Sequence, residues 1–162
     1  MLIITTILIV AMFTVIYFDV TRFIIPNWLV GGLLLLYPLA VLLAPFHIHW
    51  QMALGAMLCS FAVGYVIFAL NLMGGGDVKL IIVLSLWVGW EKLASFGFYF
   101  ALLGGVMSLA IIIIRKVLPH LTSKRPLPRV FRDKEPVPYG LAIAGAFLWL
   151  LINHEILVAS VN

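Results

Sequence analysis

Asp19 and Asp77 are two of only six acidic side chains in a chain of 162 residues, and each adjoins residues that interrupt regular backbone. Asp19 opens Asp19-Val20-Thr21-Arg22-Phe23-Ile24-Ile25-Pro26-Asn27, and Asp77 closes Gly74-Gly75-Gly76-Asp77 ahead of Val78-Lys79-Leu80. An ionisable group at the edge of a bilayer is costly unless something uses it, which makes each acid a functional-site candidate. Two carboxyls brought to about 4 Å repel by about 4 kcal/mol at an effective dielectric near 20, so such a pair shares one proton near neutral pH. A pair in that state can hydrolyse a peptide: the ionised member takes a proton from the attacking water and the protonated member donates to the carbonyl oxygen. The proton belongs to the pair and not to one residue. Each acid also has a plain structural reading. Asp77 precedes an apolar helix that it could cap, the glycines could be only a turn, and Asp19 could end the first helix at the water beside Arg22.

The elements that must position these acids are membrane helices. Hydrophobic residues make up 65% of the chain and charged residues 10%, against about 25% charged in soluble domains. Apolar stretches at residues 1–18, 28–45, 51–72, 78–90, 93–114 and 137–158 predict an all-α integral membrane protein, a single domain over 1–162 with about six transmembrane helices. The first stretch lacks a basic start and a small-residue cleavage site before Asp19, so it is expected to be a retained helix. The fourth is short: its 13 residues reach only about 20 Å, against a hydrocarbon core of about 30 Å. Gly74-Gly75-Gly76 is expected to be non-helical backbone at its start, tolerated at that depth only beside protein or a wet cavity, and a short glycine-interrupted span points to a binding site.

Seven of the ten lysines and arginines, Arg115, Lys116, Lys124, Arg125, Arg129, Arg132 and Lys134, fall in one loop at about 115–136. The positive-inside rule places that loop in the cytoplasm. Counting back through six spans puts both termini, His47, His49, Glu91 and Lys92 outside, and brings Asp19 and Asp77 out together on the cytoplasmic side. Within the loop, Arg125-Pro126-Leu127-Pro128-Arg129 reads as an extended surface segment suited to anionic lipid or a partner.

Three motifs in order, Asp19 with Ile25-Pro26-Asn27, Gly74-Gly75-Gly76-Asp77-Val78-Lys79-Leu80, and Pro138-Tyr139-Gly140-Leu141-Ala142-Ile143-Ala144, resemble those of the type IV prepilin peptidases, membrane aspartic proteases of the Gly-x-Gly-Asp kind. The resemblance covers almost the whole chain. It implies a bacterial cytoplasmic (inner) membrane hydrolase with Asp19 and Asp77 as the catalytic pair. Its substrates would be prepilins or pseudopilins, cut at the cytoplasmic face after a glycine that ends a short basic leader. The larger members carry a cytoplasmic segment with paired zinc-binding cysteines and also methylate the new pilin N-terminus. Here Cys59 is the single cysteine, so neither methyltransferase activity nor a zinc site carries over. The compact form resembles the short peptidases of tight-adherence (Flp-type) pili. No cofactor or metal and no nucleic acid are expected; the bilayer is a partner, with the pilus assembly machinery as a further candidate.

The remaining motif residues have expected jobs around the pair. Pro26 pushes Ile25 toward extended backbone and Asn27 caps the second helix, fixing the direction of Asp19. Gly74, Gly75 and Gly76 let backbone approach a bound peptide. Lys79 snorkels to head groups or steadies the site, without a direct ion pair to Asp77. Pro138, Tyr139 and Gly140 open the last helix near the pair, and Pro38 kinks the second span. His47, His49, His120 and His154 are too scattered for a metal site, and Glu155 has no evident role. Two rival classes stand beside the peptidase. A small ion- or proton-coupled transporter would carry its carboxylates nearer the midplane and often in repeated halves, and no internal repeat is visible. A non-enzymatic assembly subunit of a secretion machine would need neither aspartate.

Overall fold

The computed structural model describes residues 2–44, 49–121 and 137–153, which are helical with no strand among them. The elements are α1 (Leu2–Arg22), α2 (Asn27–Leu43), α3 (Trp50–Ala69), α4 (Gly75–Leu121) and α5 (Tyr139–Ile152). Three of them, α1, α3 and α4 over Gly75–Lys116, are long and apolar enough to cross a membrane, and α2 and α5 are shorter apolar helices. Large apolar side chains such as Phe13, Leu35, Phe61 and Leu102 face outward. An apolar exterior over an apolar core is the surface of a helical membrane protein.

Neighbouring helices alternate in direction. At one end of α3, Gly55 lies against the Trp90 ring, and at the other Gly64 lies against Val78 and Ile82, so α3 and the start of α4 are antiparallel. Gly104 and Leu103 meet Ala142 and Gly145, while Tyr99 meets the Trp149 ring at 6.1 Å, so the later part of α4 is antiparallel to α5. Gly75 at the start of α4 and Tyr139 at the start of α5 lie at the same end of the bundle, so α4 must reverse, and it does so at Gly89, whose φ of 74° is left-handed backbone that glycine adopts freely. The sequence placed the turn two residues later: Glu91 and Lys92 are helical, and the break lies at Gly89 because the glycine, not the charges, permits the backbone change. The second limb also continues through Arg115 and Lys116, which the sequence had assigned to the loop. The rest of that basic loop, with Lys124, Arg125, Arg129, Arg132 and Lys134, lies outside the described residues, as do His47, His154 and Glu155.

The core joins buried side chains of α1, α2 and the first limb of α4, with Phe96 from the second limb, and at its centre is α5. Most of its circumference is buried, including Ile143, Phe147 and Leu150, which fits a helix that is apolar all round. Pro38 sits inside α2 with helix on both sides. The Trp87 indole N–H donates to the Leu33 carbonyl at 3.1 Å, and the Trp87 ring meets Tyr37 edge-on. α3 closes with Asn71 in left-handed backbone (φ 55°), its N–H on the Phe68 carbonyl and that of Leu72 on the Ile67 carbonyl, the six-to-one and five-to-two pattern of a helix stop.

The close approach of α3 to α4 gives a test of the packing. A methyl at Gly64 would stand 2.8 Å from the Val78 Cγ1, whereas one at Gly97 meets nothing within 4 Å. Gly64→Ala is expected to destabilise by about 1–3 kcal/mol through overpacking. Gly97→Ala should stabilise slightly through helix propensity. Thermal unfolding of the purified variants in detergent checks the opposite signs; equal shifts would contradict the α3–α4 contact.

Candidate active site

Both aspartates line one open cleft of about 850 Å³, together with Asn27, Gly74, Lys79 and Tyr139. The cleft lies at the bundle end where α1 and α3 finish and α2, α4 and α5 begin.

Asp19, beyond the apolar stretch 1–18, lies on the last turn of α1, and it is only 4% exposed and not at the water. It does not pair with Arg22, whose guanidinium lies 5.3 Å over the Phe18 ring. Its carboxylate instead crosses to α5, accepting the Leu141 N–H at 3.0 Å, with the Gly140 N–H directed at the same group. The first amides of a helix have no intrahelical partner, and α5 begins at Pro138, which supplies no side-chain cap. Asp19 therefore caps α5 from another helix. Room for it exists because residue 140 is glycine: a Cβ there would lie 2.8 Å from both the Asp19 Cγ and Oδ2.

Asp77 is half-buried in the first turn of α4. The helix starts at Gly75, so Gly75 and Gly76 are helical and only Gly74 precedes it, contrary to the expected non-helical run. For the same reason Asp77 is the third helical residue and not the cap. Its carboxylate reaches back to the Gly74 N–H, half of a capping box, while the Gly74 carbonyl accepts the Val78 N–H at 3.1 Å. An acid in the first turn also suits the helix dipole.

The linker between α1 and α2 brings the two acids together. Phe23 ends α1 with its N–H on the Asp19 carbonyl at 2.9 Å and a φ of 55°, uncommon for a bulky side chain. Ile25 is then buried against Gly76, where an added Cβ would come within 3.3 Å of the Ile25 Cβ. That contact ties the start of α4 to the end of α1. Gly75 faces the Phe68 ring and Gly74 is exposed at the cleft, so two of the three glycines serve helix packing. Asn27 is the first residue of α2, whose first bonds go to the Pro26 carbonyl; the Asn27 side chain does not cap but accepts the Lys79 ammonium at 3.5 Å. Lys79 thereby links α4 to α2. Pro138 is buried ahead of α5 and Tyr139 lines the cleft. The sequence did not single out Leu141 as a partner of Asp19, or Phe68, Asn71, Leu72 and Met73 as cleft walls.

The profile of the type IV leader peptidase family matches residues 6–109, a stretch that includes both aspartates. The chain belongs to the type IV leader peptidase family. The prepilin leader peptidase/N-methyltransferase of Aeromonas hydrophila is 37% identical over 81 residues, 48% of this chain and 23% of that protein. Its counterpart in Aeromonas salmonicida (strain A449) is 36% identical over the same extent. The match thus spans about a quarter of the length of these curated relatives. No solved structure matches the chain. In this leader peptidase family member the helix that holds Asp19, α5, lies beyond the matched residues, so the Asp19–Leu141 contact comes from the geometry alone.

Capping and chemistry separate by substitution. Asparagine at position 19 keeps an oxygen for the Leu141 N–H; alanine does not. Asp19→Ala is expected to cost about 1 kcal/mol and to speed hydrogen exchange at the α5 N-terminus, while Asp19→Asn should stay close to wild type in both. Exchange followed by mass spectrometry on peptides covering 139–143 checks this, and unchanged exchange in Asp19→Ala would refute the cap.

Proposed function

We propose that this protein is an aspartic endopeptidase that removes the leader from prepilins at the cytoplasmic face of the inner membrane. The observation that carries this reading is the convergence of Asp19 and Asp77 in one open cleft, with the Asp19 carboxylate held by the Leu141 N–H, the Asp77 carboxylate beside Gly74, and neither neutralised by a cation among the described residues. One carboxyl of the pair, ionised, takes a proton from the water that attacks the scissile carbonyl. The other, protonated, donates to the carbonyl oxygen, and the roles reverse as the amine leaves. The Leu141 and Gly140 amides fix the direction of the Asp19 carboxylate, so that only the proton has to move.

Several features support the placement at the membrane surface. Tyr17, Phe18 and Trp28 form an edge-to-face aromatic run beside the cleft, with Tyr17 and Trp28 exposed, and Trp50, Trp90 and Trp149 are exposed at the opposite end. Two such belts are what the two bilayer interfaces select, which supports a cleft at head-group level. Among the described residues Arg22, Lys79, Arg115 and Lys116 belong to the cleft end and Lys92 to the other, the bias expected of a cytoplasmic cleft with both termini outside. Six helical limbs of alternating direction are read as six spans. A transporter would want its acids near the midplane, and these lie at an end of the bundle.

The expected substrate presents its scissile bond in extended form at the surface, with a glycine before the cut and a short basic leader; pilins of the tight-adherence type are the proposed class. Methyl transfer is not part of the proposal. The test is cleavage of a purified prepilin by the purified protein in liposomes. Wild type should cut after the glycine, and Asp19→Asn and Asp77→Asn should each lose at least about a thousandfold in rate while inserting and folding normally. A rate within about tenfold of wild type in either variant would refute the two-aspartate mechanism.

A further inference from the structure

We propose that the shallow groove between α3 and the start of α4 is the docking track for the substrate's own membrane helix; this rests on the peptidase reading above. The groove encloses about 170 Å³ and is walled by Phe61, Tyr65 and Phe68 from α3 and by Val78 and Ile82 from α4. The three aromatic positions are spaced by four and three residues, so they lie on one face of α3 and run about 10 Å along its axis. The Phe61 and Tyr65 rings are stacked, with centroids 6.5 Å apart and planes 20° from parallel, which makes that wall a continuous aromatic surface. The close approach of Gly64 to Val78 closes the groove at its floor.

Continuity with the catalytic cleft commits the groove to this occupant. Phe68, Gly75 and Lys79 border both the cleft and the groove. A leader peptide in the cleft is polar and extended, but the chain after the cut must pass within a few residues into hydrocarbon. On the water side the cleft is edged by Asn71, Leu72 and Gly74, all exposed at the end of the bundle. On the Phe68 side it opens onto an apolar track parallel to α3. A helix that spans the same bilayer as α3 fits a track of that direction, with its first turns against Phe61 and Tyr65. Phe68, packed on Gly75 at the junction, marks the point where the extended peptide becomes helix.

The test places p-benzoylphenylalanine at Phe61, or at Phe13 on α1, which is also exposed, in full-length protein reconstituted in liposomes with a purified prepilin. Irradiation should join position 61 to the apolar helix of the prepilin, located by mass spectrometry, and should give no such adduct at position 13. Phe61→Ala should raise KM about tenfold with kcat unchanged. Adducts to lipid alone at position 61, or equal prepilin adducts at 61 and 13, overturn the proposal. So does a fall in kcat with unchanged KM. If wild-type protein cuts the prepilin but position 61 captures none, the groove is refuted and the peptidase stands; if wild-type protein does not cut at all, the peptidase reading fails and the groove with it.

Discussion

The arrangement of the cleft depends on one hydrogen bond between helices, from the Leu141 N–H to the Asp19 carboxylate. It satisfies two needs that the sequence leaves open at separate places. A buried carboxylate at a helix end needs donors, and a helix that starts after a proline needs an acceptor for its first amides. Charge-assisted bonds of this kind are among the stronger protein hydrogen bonds, and a surrounding of low dielectric strengthens them further. Because the bond joins the last turn of α1 to the first turn of α5, it fixes the ends of two helices 122 positions apart in the chain.

Among the described residues, the rest of the cleft is built out from that anchor by close approaches and not by ion pairs. Gly140 admits the Asp19 carboxyl, and Gly76 admits Ile25, so the linker that leaves α1 lies against the turn that carries Asp77. The left-handed Phe23 supplies the reversal between them. Lys79, the cation nearest the pair in sequence, is engaged with Asn27. This leaves both carboxyls facing the cleft with backbone donors behind them and, among the described residues, no cation holding either acid in its ionised form, a setting that suits the proposed proton transfer.

Much of this was legible in the chain, and the failures have definite causes. Apolar run lengths located the helices because burial in hydrocarbon demands about 20 such residues whatever their neighbours do. Glycine and charge gave conflicting signals near residue 90, and the glycine prevailed: helix tolerates Glu91 and Lys92, while a φ of 74° does not tolerate most side chains. Asp77 reads from sequence as a cap because caps favour aspartate, yet Gly75 and Gly76 joined the helix and moved it to the third position. Asn27 lost its capping role in the same way, since Pro26 took the position before the helix. The tertiary cap by Asp19 was invisible in local pattern. Its one trace is negative: α5 opens on a proline, so its amides had to find an acceptor elsewhere, and a lone buried acid was the group left to provide one.

The central claim, that the two aspartates act as one catalytic unit, is tested most directly by a double-mutant cycle on prepilin cleavage, with residual rates followed over long incubations for wild type, Asp19→Asn, Asp77→Asn and the double variant. Residues that work as a unit lose their function once, so the double variant should be no slower than either single variant, within about threefold. If the two losses multiply instead, the aspartates contribute independently and the paired mechanism is wrong.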